Sequence, residues 1–162
     1  MRLNMKILLG AVLFMALSGA NGRAAEFHAG NLVILDPWAP PSIGQQRIGA
    51  VYFSIRNQGQ TPDQLQGIEL PDGGQAMLHN SMMQDGIMHM DMMDALVIPP
   101  GGEAALQPGA MHVMLTDLPG PLLKDSKLRL ILHFEKAGPV DVQAAIRPRP
   151  VNQTPPPMHQ AH

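Results

Sequence analysis

Leu128-Arg129-Leu130-Ile131-Leu132-His133-Phe134-Glu135 alternates along its length. Leu128, Leu130, Leu132 and Phe134 share one face, and Arg129, His133 and Glu135 share the other. A period of two is that of a half-buried strand and not of a helix. Val140, Val142, Ala144 and Ile146 alternate in the same way. Working backward, Met111 to Leu115 is apolar apart from His112, and Glu103 to Leu106 is closed by Pro108-Gly109. Ala95 to Ile98 ends at Pro99-Pro100-Gly101-Gly102. Ala50-Val51-Tyr52-Phe53-Ser54-Ile55-Arg56-Asn57 is rich in β-formers and closes at Gln58-Gly59. Leu65–Leu70 and Gln75–His79 are joined across Pro71-Asp72-Gly73-Gly74. Asp85-Gly86, between Met82-Met83 and Ile87-Met88, is a hairpin turn signal. Leu32 to Leu35 is a short apolar run that Pro37-Trp38-Ala39-Pro40-Pro41 is expected to break. Short strands separated by Gly, Pro, Asn and Asp predict an all-β sandwich or barrel.

The ends of the chain differ from this middle. Arg2 and Lys6 precede an apolar run, Ile7 to Leu17, too short to span a bilayer comfortably, and small residues follow as far as Ala25. Residues 1–24 read as a signal peptide, which predicts export and a periplasmic location. Residues 25–147 form the β domain. Residues 148–162 are Pro-rich, end in Met158-His159-Gln160-Ala161-His162, and predict a flexible, disordered tail.

Composition narrows the function. Net charge is −2 with no basic block, which argues against nucleic acid. There is no cysteine, hence no disulfide, no thiolate ligand, no Cys nucleophile and no lipid attachment through Cys. Asp63, Asp72, Asp85 and Asp117 stand in turn contexts, where carboxylates cap backbone N–H groups. No Gly-Lys-Ser/Thr phosphate loop and no nucleophile elbow is present. The chain carries no enzyme signature.

Thirteen methionines and seven histidines remain to be explained. A methionine in an apolar strand is ordinarily packing, and a lone histidine is ordinarily a surface residue, which is how His28 and His133 read. The run from Met77 to Met93 is denser than one edge of a small core needs; it holds Met77, Met82, Met83, Met88, Met90, Met92 and Met93, with His79 and His89. His112 and Met114, two apart, point the same way on a strand. Met88, Met90 and Met92 share a face, opposite His89 and Asp91. Pairing around Asp85-Gly86 is expected to bring His79 and Met90 close to level. Imidazole and thioether together are soft donors that select Cu(I). A thioether has no proton to lose and carries no charge, so such a site favours Cu(I) over Cu(II). It also holds the ion less tightly than a thiolate would. These are properties of a carrier.

At these residues the chain resembles the PCuAC copper chaperones, formerly a domain of unknown function. The resemblance rests on His79-x10-Met90-x21-His112-x-Met114 and on flanking blocks around Pro37-Trp38-Ala39, Ala50–Gly59, Asp85–Met90 and Leu106–Leu115. It implies a cupredoxin-like Greek-key β-sandwich or barrel binding Cu(I) through His79, Met90, His112 and Met114. It implies delivery to the Cu(A) domain of cytochrome c oxidase subunit II, alongside a Sco-type thiol protein. Met158, His159 and His162 resemble the His/Met tails that in some members bind a further copper, including Cu(II). The alternative is a periplasmic copper-buffering or resistance protein with no dedicated acceptor. Two positions depart from the family pattern: Pro40 where Arg often follows, and Ala110 where a second Gly is common.

Overall fold

The computed structural model describes residues 24–149. Nearly all of the expected signal peptide and of the expected tail, including Met158, His159 and His162, lie outside the described residues.

Eleven strands follow in chain order: β1 Glu26–Ala29, β2 Leu32–Ala39, β3 Gly49–Asn57, β4 Asp63–Glu69, β5 Gln75–Gln84, β6 Ile87–Met93, β7 Leu96–Ile98, β8 Glu103–Leu106, β9 Met111–Thr116, β10 Lys127–Phe134 and β11 Gly138–Ile146. Among the described residues no helix is long and apolar enough to cross a membrane. The hydrogen-bonded order is β6-β5-β9-β3-β2-β11-β10-β4-β7, with β1 on β2 and β8 on β3. Many neighbours in this order are distant in sequence, as Greek-key connections require. The all-β sandwich expected from the sequence is what the chain forms.

β10 behaves as its alternation dictates. Leu130, Leu132 and Phe134 are buried, while Arg129 donates from Nε to Asp141 of β11 at 2.8 Å on the outer face. His133 lies 3.3 Å from the Glu69 carboxylate, a partly exposed surface pair. The core gathers inward residues from both sheets, among them Ile34, Val51, Leu65, Val113, Leu130 and Val142, all fully buried. Burying such side chains stabilises the fold by about 1.5–3 kcal/mol each.

One expectation fails locally. Pro37 does not end β2, which continues to Ala39. Asp36 takes a positive φ of 50°, and the β2–β3 register shifts between Leu35 and Trp38. That irregularity accommodates a residue with no N–H to give. The Asp36 carboxylate accepts from Arg147 at 2.6 Å, and the Arg147 guanidinium sits 5.8 Å from the centroid of the Trp38 ring. Beyond the bulge, Trp38 pairs with Tyr52 of β3 and, in parallel, with Ala145 of β11. β1 has no strong alternation, and its place is set by its pairing with β2.

The turn aspartates are structural. Asp63 is buried, and its carboxylate accepts from the backbone N–H of Gln64, Lys136 and Ala137 at 2.8, 3.0 and 2.9 Å. Asp85 and Asp117 take positive φ values of 51° and 53° in turns.

Candidate metal centre

β5 is the organising strand, because β6 pairs with one side of it and β9 with the other. Asp85 and Gly86 both have positive φ, 51° and 76°, and close the β5–β6 hairpin as a two-residue primed turn. Such a turn leaves no freedom in the pairing. Gln84 meets Ile87, Met83 meets Met88, Ser81 meets Met90 and His79 meets Met92. On the other side His79 meets His112, and Met77 meets Met114.

Paired residues project to the same face. Met92, His79 and His112 therefore form one rung across three strands. Met77 and Met114 form the next rung, continued by Ala50 of β3. Ser81 and Met90 form the rung on the hairpin-tip side. His79, Met90, His112 and Met114 thus lie on one face, as their spacing suggests. His79 and Met90 are not level, however. Met90 stands one two-residue step toward the tip, and Met92 is the thioether opposite His79. The two-residue turn determines this, and counting back from Gln84 and Ile87 identifies it. Met77, opposite Met114, was likewise not singled out by spacing.

The two histidines are held differently. His112 is 8% exposed, and its Nδ1 lies 3.0 Å from the Ala110 carbonyl oxygen. A carbonyl only accepts, so in the neutral ring Nδ1–H donates and Nε2 keeps its lone pair. This arrangement fixes ring orientation, as carbonyls behind metal-binding imidazoles commonly do. The contact uses the Ala110 backbone, and Ala110 does not need a positive φ; Gly109 supplies that at 84°. The Ala that replaces the family's Gly therefore leaves this support intact. His79 Nδ1 is buried without a hydrogen-bond partner among the described residues. Leaving a buried polar atom unpaired costs about 1–3 kcal/mol, which a core designed only for packing would avoid. The two rings lie 5.9 Å apart between centroids and 60° apart in plane. Tyr52 stands beside His112 at 6.5 Å and is backed by Trp38 at 4.8 Å. Burial pushes the Tyr52 phenol above its ordinary value, with Arg149 opposing.

Leu78 and Met93 pair toward the core, while Met83, Met88, Met90 and Met92 are exposed on the other face, and Met82, on the face of Leu78 but two rungs nearer the hairpin tip, is exposed as well. Packing does not account for those five. Among the described residues, no cluster of three or more His, Cys, Asp or Glu is placed to hold a metal. A metal centre on this face must therefore draw on thioethers, which suit a soft monovalent ion and not Zn, Mg or Ca. His28 is exposed and lies 3.8 Å from Glu26, outside this arrangement. His89 pairs with Met82 on the opposite face of the hairpin and does not join it.

Fold and face together define a β-sandwich that presents imidazole and thioether donors across three adjacent strands. The family model described as LpqE-like lipoprotein matches residues 32–146, and the chain belongs to that family, of PCuAC type. The structure is similar to the copper-bound PCuAC domain from PmoF2, with TM-score 0.66 and 26% identity over 77% of this chain and 99% of that one. It is similar to the apo PCuAC domain from PmoF1, with TM-score 0.65 and 30% identity over 76% and 100%. It is also similar to Cu(I)-bound DR1885 from Deinococcus radiodurans in solution, with TM-score 0.55 and 25% identity over 82% and 85%. No curated protein matches the chain.

Proposed function

We propose that this protein is an exported Cu(I) carrier of the periplasm that binds one ion through His79, Met90, His112 and Met114. The observation that carries the reading is the His79–His112 rung, with a buried, unpartnered nitrogen on His79 and a carbonyl-oriented ring on His112. Met114 lies two residues along β9 on the same face, and Met90 approaches from the edge strand. Imidazole and thioether donors on one open face can hold a soft ion without a thiolate, which supports carriage of the ion as the protein's role. Thioethers release Cu(I) readily to thiolates, which supports ligand exchange with a Cys-containing acceptor. The acceptor we propose is the Cu(A) domain of cytochrome c oxidase subunit II, with a Sco-type thiol protein as partner. Met158, His159 and His162 are proposed as a secondary copper position that also takes Cu(II).

An anaerobic Cu(I) titration against a competing chelator tests the main site. Wild type binds tightly and a His112→Ala/Met114→Ala variant does not; equal affinities would sink the assignment. Transfer to an apo Cu(A) domain, followed by the appearance of its absorbance, separates delivery from simple buffering.

A further inference from the structure

We propose that the outward face of the β5–β6 hairpin is a thioether track for Cu(I), with Met83 and Met88 as an outer binding position at its tip. This rests on the Cu(I)-carrier reading and assigns a second position beyond its four ligands.

Met83 is opposite Met88, Ser81 opposite Met90 and His79 opposite Met92, all on one face. Consecutive rungs are two residues apart, about 7 Å along the strand. Residues directly opposite have Cβ atoms only about 4.5–5.5 Å apart, so two flexible thioethers there can hold one ion between them. A methionine has three rotatable side-chain bonds, so its sulfur can serve the rung on either side of it. Met88, Met90 and Met92 therefore offer overlapping donors from the tip to the histidine rung.

Exposure is the second observation. Met83, Met88, Met90 and Met92 are 59, 53, 55 and 67% exposed. They project from a hairpin whose outer strand, β6, is the sheet edge. Leu78 and Met93 already make the hairpin's core contacts. Four large apolar side chains left in solvent on one face contribute little to folding, and such a concentration marks an interaction site.

Donor chemistry gives the track a direction. The outer rung offers thioethers alone, whereas the inner rung adds two imidazoles. An ion at the tip is held more weakly than one between His79 and His112, so loading runs inward. Outward transfer then needs an acceptor with stronger donors. Met82 and His89 lie on the opposite face and cannot join this path.

The test uses the mature protein carrying isotope-labelled methionine methyls, titrated with Ag(I) as a redox-inert stand-in for Cu(I). Single Met→Leu variants assign the signals. The first equivalent shifts Met90 and Met114, and excess Ag(I) then shifts Met83 and Met88. In a His79→Ala/His112→Ala variant the Met83 and Met88 shifts persist. A Met83→Leu/Met88→Leu variant, close to volume-conserving, keeps the equilibrium affinity of the inner site but takes Cu(I) from a chelator several-fold more slowly. Unmoved Met83 and Met88 methyls, a response at Met82 in their place, or an unchanged loading rate would each overturn the proposal. Loss of the Met90 and Met114 response alone, with Met83 and Met88 still responding, would count against the four-ligand site and leave the outer position standing.

Discussion

His79 and His112 face one another across the β5–β9 ladder with ring centroids 5.9 Å apart, and His79 Nδ1 has no hydrogen-bond partner among the described residues. Loss of a residue behind a metal ligand costs about 10–100-fold in affinity, and loss of the ligand costs more. His79→Ala and His112→Ala are each expected to weaken Cu(I) binding by at least about 100-fold. Their effects on the apo protein differ. His79→Leu removes an unpaired buried nitrogen, so apo His79→Leu should melt no lower than wild type while failing to bind Cu(I). A large fall in its melting temperature would show that His79 is there for packing.

Met92 stands opposite His79, and Met90 lies one rung outward on the same face. Met90→Leu is expected to weaken Cu(I) binding while X-ray absorption still shows equal numbers of sulfur and nitrogen neighbours, because Met92 takes the place of Met90. The Met90→Leu/Met92→Leu variant should lose one sulfur. Loss of a sulfur in the single variant would show that the register holds Met92 away from the ion.

Tyr52 is the chain's one tyrosine, so its titration is read directly from tyrosinate absorbance. Burial raises its folded-state value, and Arg149 partly offsets the rise. The folded protein therefore keeps the phenol proton at pH values where the unfolded chain, at about 10, has lost it. The contribution to stability is fully present below the unfolded value and is lost as pH rises through the folded one. The apo protein should show a tyrosinate midpoint above that of the denatured chain. A midpoint equal to the denatured one would refute burial of the Trp38–Tyr52–His112 stack.

Asp63 tests the separation of structure from site. Its carboxylate accepts three backbone N–H bonds where β4 approaches the β10–β11 turn. Asp63→Ala leaves three partly buried donors without their acceptor and is expected to cost about 2–4 kcal/mol in unfolding free energy. Cu(I) affinity of the folded fraction should not change. A parallel loss of affinity would tie this turn to the metal centre.

Much of the fold was legible because strands announce themselves by alternation. Leu128 to Phe134 and Val140 to Ile146 read directly as strands, and Asp85-Gly86 announced its hairpin by turn chemistry. Pro37 misled, because an isolated proline argues against a strand and the Asp36 bulge that admits it depends on β3 and Arg147. β1 was invisible, since its place depends on pairing with β2 and not on its own pattern.

The amino-acid sequence by itself determined which donors are available. It supplied a soft set of imidazoles and thioethers without thiolate, and put His112 and Met114 on one face through the two-residue repeat of a strand. Tertiary structure settled which donors meet. Sequence spacing cannot bring β9 beside β5, since that pairing joins strands separated by β6, β7 and β8. Nor does spacing alone set the level of Met90 against His79, because a shift of one rung in an antiparallel ladder preserves the face while exchanging the partner. The Asp85-Gly86 turn fixed that rung and placed Met92 opposite His79, and the packing of β5 against β9 brought His112 to its other side.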